Sequence, residues 1–148
     1  MTALHAFLRR HRRIALDTNI FVYQVEANPR YMDLTDPIFV WLSRPECTAV
    51  TSTITMTELL VPAYRSGGSQ LVSGFYALLT TYPNLDWIAP SLEIADIAAR
   101  IRAAYRLRTP DALQAATALH SGAAGLITNN PAFERVAGVE TLVLERLL

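Results

Sequence analysis

Four short apolar runs set the limits on what this chain can fold into. They are Ile14–Leu16, Thr48–Thr53 (TAVTST), Gly125–Thr128 (GLIT) and Thr141–Glu145 (TLVLE). Each is rich in aliphatic or β-branched residues and nearly free of charge, which suits strands covered on both faces of a parallel sheet. Parallel neighbours need a crossover, usually a helix, and helical stretches lie between the runs. ITMTELLVPAYRSGG puts Met56, Leu59 and Leu60 on one face; Pro62 is expected to kink or shorten that helix, and Gly67-Gly68 to end it. SGFYALLTTYP is a short amphipathic segment ending before Pro83. SLEIADIAARIRAAYRL sets Leu92, Ala95, Ala99 and Ala103 on one stripe, with Ser91 as N-cap and Glu93 in the first turn. TPDALQAATALHSGA starts with Thr109 as N-cap and Pro110 at the first helical position, and stops at Gly122. NNPAFERVAG reads as a short helix before the last strand. The alternation predicts a three-layer α/β/α sandwich with a mainly parallel central sheet, in one domain over residues 1–148.

The 148 residues are 51% hydrophobic and 18% charged, a globular composition. No apolar run approaches the roughly 18 residues of a membrane span. In MTALHAFLRRHRR the arginines follow the apolar residues, the wrong order for a secretory signal. Cys47 is the only cysteine, so one chain can form neither a disulfide framework nor a cysteine-rich zinc site. A cytoplasmic protein is expected.

The formal net charge is zero, so no global basic field draws in nucleic acid. All 13 basic residues are arginine, and the absence of lysine excludes a Walker A phosphate loop, lysine Schiff-base catalysis and pyridoxal chemistry. The arginines cluster twice, at Arg9, Arg10, Arg12 and Arg13 and at Arg100, Arg102, Arg106 and Arg108. Each cluster is either a solvated face or a set of phosphate contacts, for which the guanidinium fork is suited.

Ligands of open parallel sheets bind beyond the carboxyl ends of the strands. Asp17 directly follows the first run, Glu58 lies near the start of the helix after TAVTST, Asp111 falls in the first turn of the TPDAL helix, and Asn129 and Asn130 follow GLIT. Each has an ordinary explanation. Asp17 can cap a helix over Asn19–Tyr23, Asp111 can complement a helix dipole, Glu58 can be a surface residue, and Asn129-Asn130-Pro131 can be a turn. Taken together, acids at several strand ends without histidine or cysteine companions make an oxygen-rich site suited to Mg²⁺ or Mn²⁺. A cation would relieve their mutual repulsion, and phosphodiester hydrolysis is a natural task for such a site.

ALDTNIFVY, TSTITMTELL, RTPDALQAATAL and LITNNPAFERV resemble the successive signature motifs of PIN-domain nucleases, in order, over about residues 14–144. Within that family they are most similar to the VapC-type toxins of bacterial toxin–antitoxin pairs. The resemblance implies a Mg²⁺- or Mn²⁺-dependent endoribonuclease in which Asp17, Glu58 and Asp111 hold the ion. It places Thr18, Asn19 and Thr128 as supports behind those ligands. It also implies a homodimer, a small cognate antitoxin and an RNA substrate. Asn130 departs from the pattern, standing where many members carry a fourth acid. Its carbonyl oxygen can coordinate, but it brings no charge and cannot act as a base. Glu134, one helical turn on, is a possible substitute. Arg102, Arg106 and Arg108 lead into Asp111 and are the first candidates for RNA backbone contact.

Two other functions compete. One is a PIN-like domain with an impaired site that binds RNA or a protein without cutting, suggested by Asn130 and the neutral charge. The other is a phosphoaspartyl phosphotransfer enzyme with Asp17 as nucleophile. Against it, Asn19 stands where a haloacid-dehalogenase pattern wants an acid, and no lysine is available to hold the phosphate.

Overall fold

A computed structural model describes residues 2–148. Five strands form one sheet: β1 (Arg13–Leu16), β2 (Thr48–Ser52), β3 (Leu85–Ile88), β4 (Gly125–Thr128) and β5 (Glu140–Val143). Their order is β3-β2-β1-β4-β5 and every pairing is parallel. Seven α-helices are described: α1 (Ala3–Arg10), α2 (Thr18–Val25), α3 (Met32–Leu42), α4 (Thr53–Arg65), α5 (Ser69–Thr80), α6 (Leu92–Tyr105) and α7 (Thr109–His120). Two 3-10 turns, Pro131–Arg135 and Leu144–Leu147, flank β5. The expected α/β/α sandwich is therefore the observed architecture.

The two-residue period of the strands sorts the core into two layers. Ile14 and Leu16 of β1 join the side chains of α1, α2 and α3 on one face, while Ala15 joins α6 and α7 on the other. In β4, Ile127 and Leu126 divide in the same way. Helix α7 lies against the sheet through Ala112, Ala115, Ala116 and Ala118, all fully buried and small enough to let the backbones approach. Among the described residues, no helix is long and apolar enough to cross a membrane.

The expected β1 and β4 agree with the observed strands, but several details differ. Thr53 begins α4 instead of ending β2, because Ser52 caps that helix by accepting from the Ile54 N–H. Helix α4 runs through Pro62 to Arg65. The proline removes only the bond to the Glu58 carbonyl, and the buried face made by Thr55, Leu59 and Ala63 holds the helix together. The buried stripe of α6 is Ile94, Ala98 and Ile101, and Leu92 is 91% exposed. Bulk decided that face, since the isoleucines bury more apolar area than the alanines of the expected stripe. At α7 the N-cap position belongs to Arg108, and Thr109 is the first helical residue, its hydroxyl accepting from Arg102 at 2.9 Å. The last strand ends at Val143, and Leu144 turns into the terminal 3-10 segment.

Helix α1 is fastened to the amino edge of the sheet. Arg10 and His11 both bind Glu140 at the start of β5, and the indole of Trp41 in α3 donates to the Leu8 carbonyl at 3.0 Å. Gly125, at the start of β4, leaves the space this needs: a Cβ there would sit 2.8 Å from the Phe7 ring and 2.9 Å from His11. Gly125→Ala is therefore expected to lower stability by about 1–3 kcal/mol through overpacking, measured as a lower urea midpoint with unchanged slope.

Candidate active site

The strand order places β1 centrally, with β2 and β4 on opposite sides, and ligands of such sheets bind beyond the carboxyl end at this point. Asp17 stands at that point. It caps α2, and its carboxylate is almost fully enclosed, with 7% of its surface exposed. One oxygen, Oδ1, accepts from the Thr18 N–H at 2.8 Å, and Oδ2 accepts from the Thr128 hydroxyl at 2.7 Å. The cap and the site position are thus compatible. Each oxygen has a second lone pair left for a further partner.

Burial pushes the Asp17 carboxyl up to about 6; the Thr128 and Thr18 hydrogen bonds oppose the shift, and the negative charges of Asp111 and Glu58 add to it. Both of those acids therefore act on Asp17 through space. Glu58, on the first turns of α4, accepts from the Thr18 hydroxyl at 2.9 Å. Asp111, in the first turn of α7, has a 14% exposed side chain. Its Oδ2 lies 3.4 Å from both the Arg108 Nε and the Asn130 Nδ2, two long and weak contacts. Asn130 follows β4 and caps the 3-10 turn, accepting from the Ala132 N–H at 3.0 Å.

Four of the expected positions thus gather at one sheet edge, from α2, α4, α7 and the loop after β4. Among the described residues, however, no three acidic, histidine or cysteine side chains stand close enough to form a ready-made metal cage. The donor set still fits a hard divalent cation: all the donors are oxygens, and among the described residues the enclosed Asp17 carboxylate has no cationic partner. The Asn19 Oδ1, two residues after Asp17, is also buried and accepts no hydrogen bond. Glu134 does not join them; its carboxylate is held by Arg146 at 2.6 Å.

A network of hydroxyls and one amide, of which only Thr18 belonged to the expected set, lies behind these acids. Gln114 is buried among the alanines of α7, accepts from the Ser52 N–H at 3.2 Å and donates to the Thr55 hydroxyl at 2.6 Å. Thr55 in turn lies 2.7 Å from Thr51 and 3.2 Å from Thr18, the residue that holds Glu58. The sequence signal was a lone amide on an otherwise alanine-lined helix face. Gln114→Leu strands the Ser52 N–H and loosens Thr55, so a loss of about 2–4 kcal/mol on urea unfolding is expected. Asn129 performs a similar task on the other side. Its amide donates to Tyr23 at 2.9 Å and Tyr31 at 3.0 Å, and its carbonyl accepts from the Glu145 N–H at 2.8 Å, pinning the loop after β4.

The arginines of α6 divide. Arg102 ties α6 to α7 by donating to the Leu107 carbonyl and to Thr109. Arg106 ends α6 in a left-handed conformation and Arg108 is 79% exposed beside Asp111. A cavity of about 590 Å³ lies elsewhere: an apolar groove between α4 and α5 lined by Met56, Leu60, Val61, Tyr64, Tyr76 and Trp87.

A family model described as "PIN domain" matches residues 14–139. Comparison with curated proteins finds no match. Among solved structures, the chain is similar to one in the VapBC2 complex from Rickettsia felis bound to a promoter DNA fragment, with a TM-score of 0.71 and 22% identity over 88% of this chain and 98% of that one. A chain of VapBC-1 from nontypeable Haemophilus influenzae gives 0.69 and 24% identity over 90% and 98%. One from a toxin–antitoxin complex of Klebsiella pneumoniae gives 0.65 and 25% identity over 85% and 94%.

Proposed function

Because this chain belongs to the PIN domain family, we propose that it is a Mg²⁺- or Mn²⁺-dependent endoribonuclease, the toxin of a VapBC-type pair. One observation carries this: an enclosed carboxylate, Asp17, at the carboxyl end of the central strand, with the charges of Asp111 and Glu58 acting on it. Similarity to chains of two VapBC structures and of a toxin–antitoxin complex from Klebsiella pneumoniae supports the same reading.

In this function Asp17, Glu58 and Asp111 are the charged ligands and Asn130 offers a neutral carbonyl oxygen. When bound, a divalent ion supplies Lewis-acid activation of water and stabilisation of charge on the phosphoryl oxygens. The chain's own residues set the geometry. Thr128 and the Thr18 N–H fix the Asp17 carboxylate from two sides, and the Thr18 hydroxyl aims Glu58. Asn19 completes the polar lining at the start of α2. Partners of this kind are expected to matter at the level of about 10–100-fold in metal affinity or activity.

Arg106 and Arg108 are the proposed contacts to the RNA backbone, with Arg102 holding the segment that presents them. Arg106→Ala with Arg108→Ala should weaken RNA binding on all sequences alike and flatten the salt dependence by about one to two units of slope. An unchanged slope removes both from the interface. The apolar groove of α4 and α5 supports a protein partner, an antitoxin or a second copy of this chain, since exposed patches of this kind mark interaction surfaces.

The testing experiment is incubation of total RNA with the protein in Mg²⁺, in Mn²⁺ and in EDTA. Metal-dependent fragments are expected; cleavage that persists in EDTA rejects the metal mechanism. The second reading, an impaired domain that binds without cutting, is favoured by Asn130 and by the three acids not closing into a cage. It predicts RNA binding with no cleavage in either metal.

A further inference from the structure

The arginine run that leads into β1 splits by partner. Arg10 binds Glu140, and Arg13 reaches Asp86 at 3.0 Å and the Ser121 carbonyl at 2.8 Å, so these two tie together the amino edge of the sheet. Arg9 and Arg12 are exposed and, among the described residues, pair with no acid. Both line a cavity of about 400 Å³, which is also lined by Arg44 from the α3–β2 loop, likewise without an ion pair among the described residues. Three arginines from two chain segments, the end of α1 with its link to β1 and the α3–β2 loop, thus line one recess.

The other charged or titratable groups at this recess are few. Glu46 is the single acid, His5 is bonded to Thr2, and His11 is bonded to Glu140. The buried Cys47 also lines the recess. Leu8, Val40 and the fixed Trp41 make an apolar wall beside the arginines. The volume lies within the ~300–1,000 Å³ of small-molecule sites, and apolar walls with a few convergent charges are their usual make-up.

The recess lies at the amino ends of β1 and β2, the sheet edge opposite Asp17: the Thr48 N–H donates to the Arg12 carbonyl at 2.8 Å just where both strands begin. Helix α1 and Arg12 also precede residue 14, where the family match starts.

We propose that Arg9, Arg12 and Arg44 form a second site, for a phosphate-bearing ligand of nucleotide size, with phosphates on the guanidiniums and the base or sugar against Val40 and Trp41. Bidentate guanidinium–phosphate pairing is the chemistry that recognises it. The phosphates are those of a free nucleotide or of an RNA end, and competition separates the two.

The test is calorimetric titration of ATP, with adenosine as control, in EDTA and low salt so that the acidic edge takes no part. Wild type is expected to bind ATP and not adenosine, with affinity falling as salt rises. The triple variant Arg9→Ala/Arg12→Ala/Arg44→Ala should lose about tenfold or more of that affinity, while Arg106→Ala/Arg108→Ala retains it. Should the triple variant melt below wild type, Arg44→Glu alone serves, and a loss of at least the same size is expected. Displacement of ATP by a short single-stranded RNA assigns the phosphates to an RNA end, and failure to displace assigns them to a free nucleotide. Equal affinity for ATP and adenosine, or ATP binding unchanged in the folded arginine variants, overturns the proposal. Neither result bears on cleavage at the opposite edge.

Discussion

Asp17→Asn is expected to lower metal-dependent RNA cleavage by at least about 100-fold. Losing even a residue that merely orients a metal ligand costs about 10–100-fold, and Asp17 is proposed as a direct ligand. The same substitution should have the opposite effect on stability when no metal is present. Burial pushes the Asp17 carboxyl up to about 6, from an ordinary 3.8. Between those values the folded state holds a proton that the unfolded state has released, so stability falls as pH rises through that window. The full contribution is about 3 kcal/mol, present below pH ~3.8 and gone above pH ~6. Arg10 holds Glu140 and Arg30 holds Glu145 below the usual carboxylate range, giving a trend of the opposite sign at lower pH. The difference between wild type and Asp17→Asn isolates the Asp17 contribution. In EDTA, urea unfolding should show the variant gaining on wild type from about pH 4 to about pH 7, by up to about 3 kcal/mol. A pH-independent difference removes the buried carboxylate from the account.

Asn130→Asp is expected to tighten divalent-ion binding by about tenfold or more, because ligand charge count sets affinity for hard cations. The aspartate keeps the acceptor that caps the 3-10 turn through the Ala132 N–H. What changes is the contact to Asp111, now an amide at 3.4 Å from a carboxylate oxygen. Two carboxylates at that separation repel, so the metal-free variant should lose about 1–2 kcal/mol at neutral pH and recover it when Mg²⁺ is added. In cleavage assays the Mg²⁺ concentration for half-maximal rate should fall. An unchanged Mg²⁺ dependence places Asn130 outside the ion's coordination.

How far the sequence carries this depends on the kind of interaction. The strands β1 and β4 were legible because, apart from Arg13 at the start of β1, they consist of buried residues. Strand β3 was not expected, since LDWI carries Asp86 and forms an edge whose residues are only partly buried. Helices α1 and α3 were also missed: α1 owes its place to Phe7 and Leu8 packing on the sheet, and α3 contains Pro37 and begins without a side-chain cap. The positions of Asp17, Glu58, Asp111 and Asn130 at one edge follow from strand–helix order, which a sequence displays. Their spacing does not, because it is set by side chains such as Gln114 and Thr55 that meet across 59 residues of chain.

In the proposed site, acids from three separate elements share one cation. Calorimetric titration of Mn²⁺ into the metal-free protein tests it most directly, with Asp17→Asn, Glu58→Gln and Asp111→Asn measured beside wild type. The expected result is saturable binding by wild type, weakened by about tenfold or more in each variant. Binding of equal strength in all four proteins would contradict it.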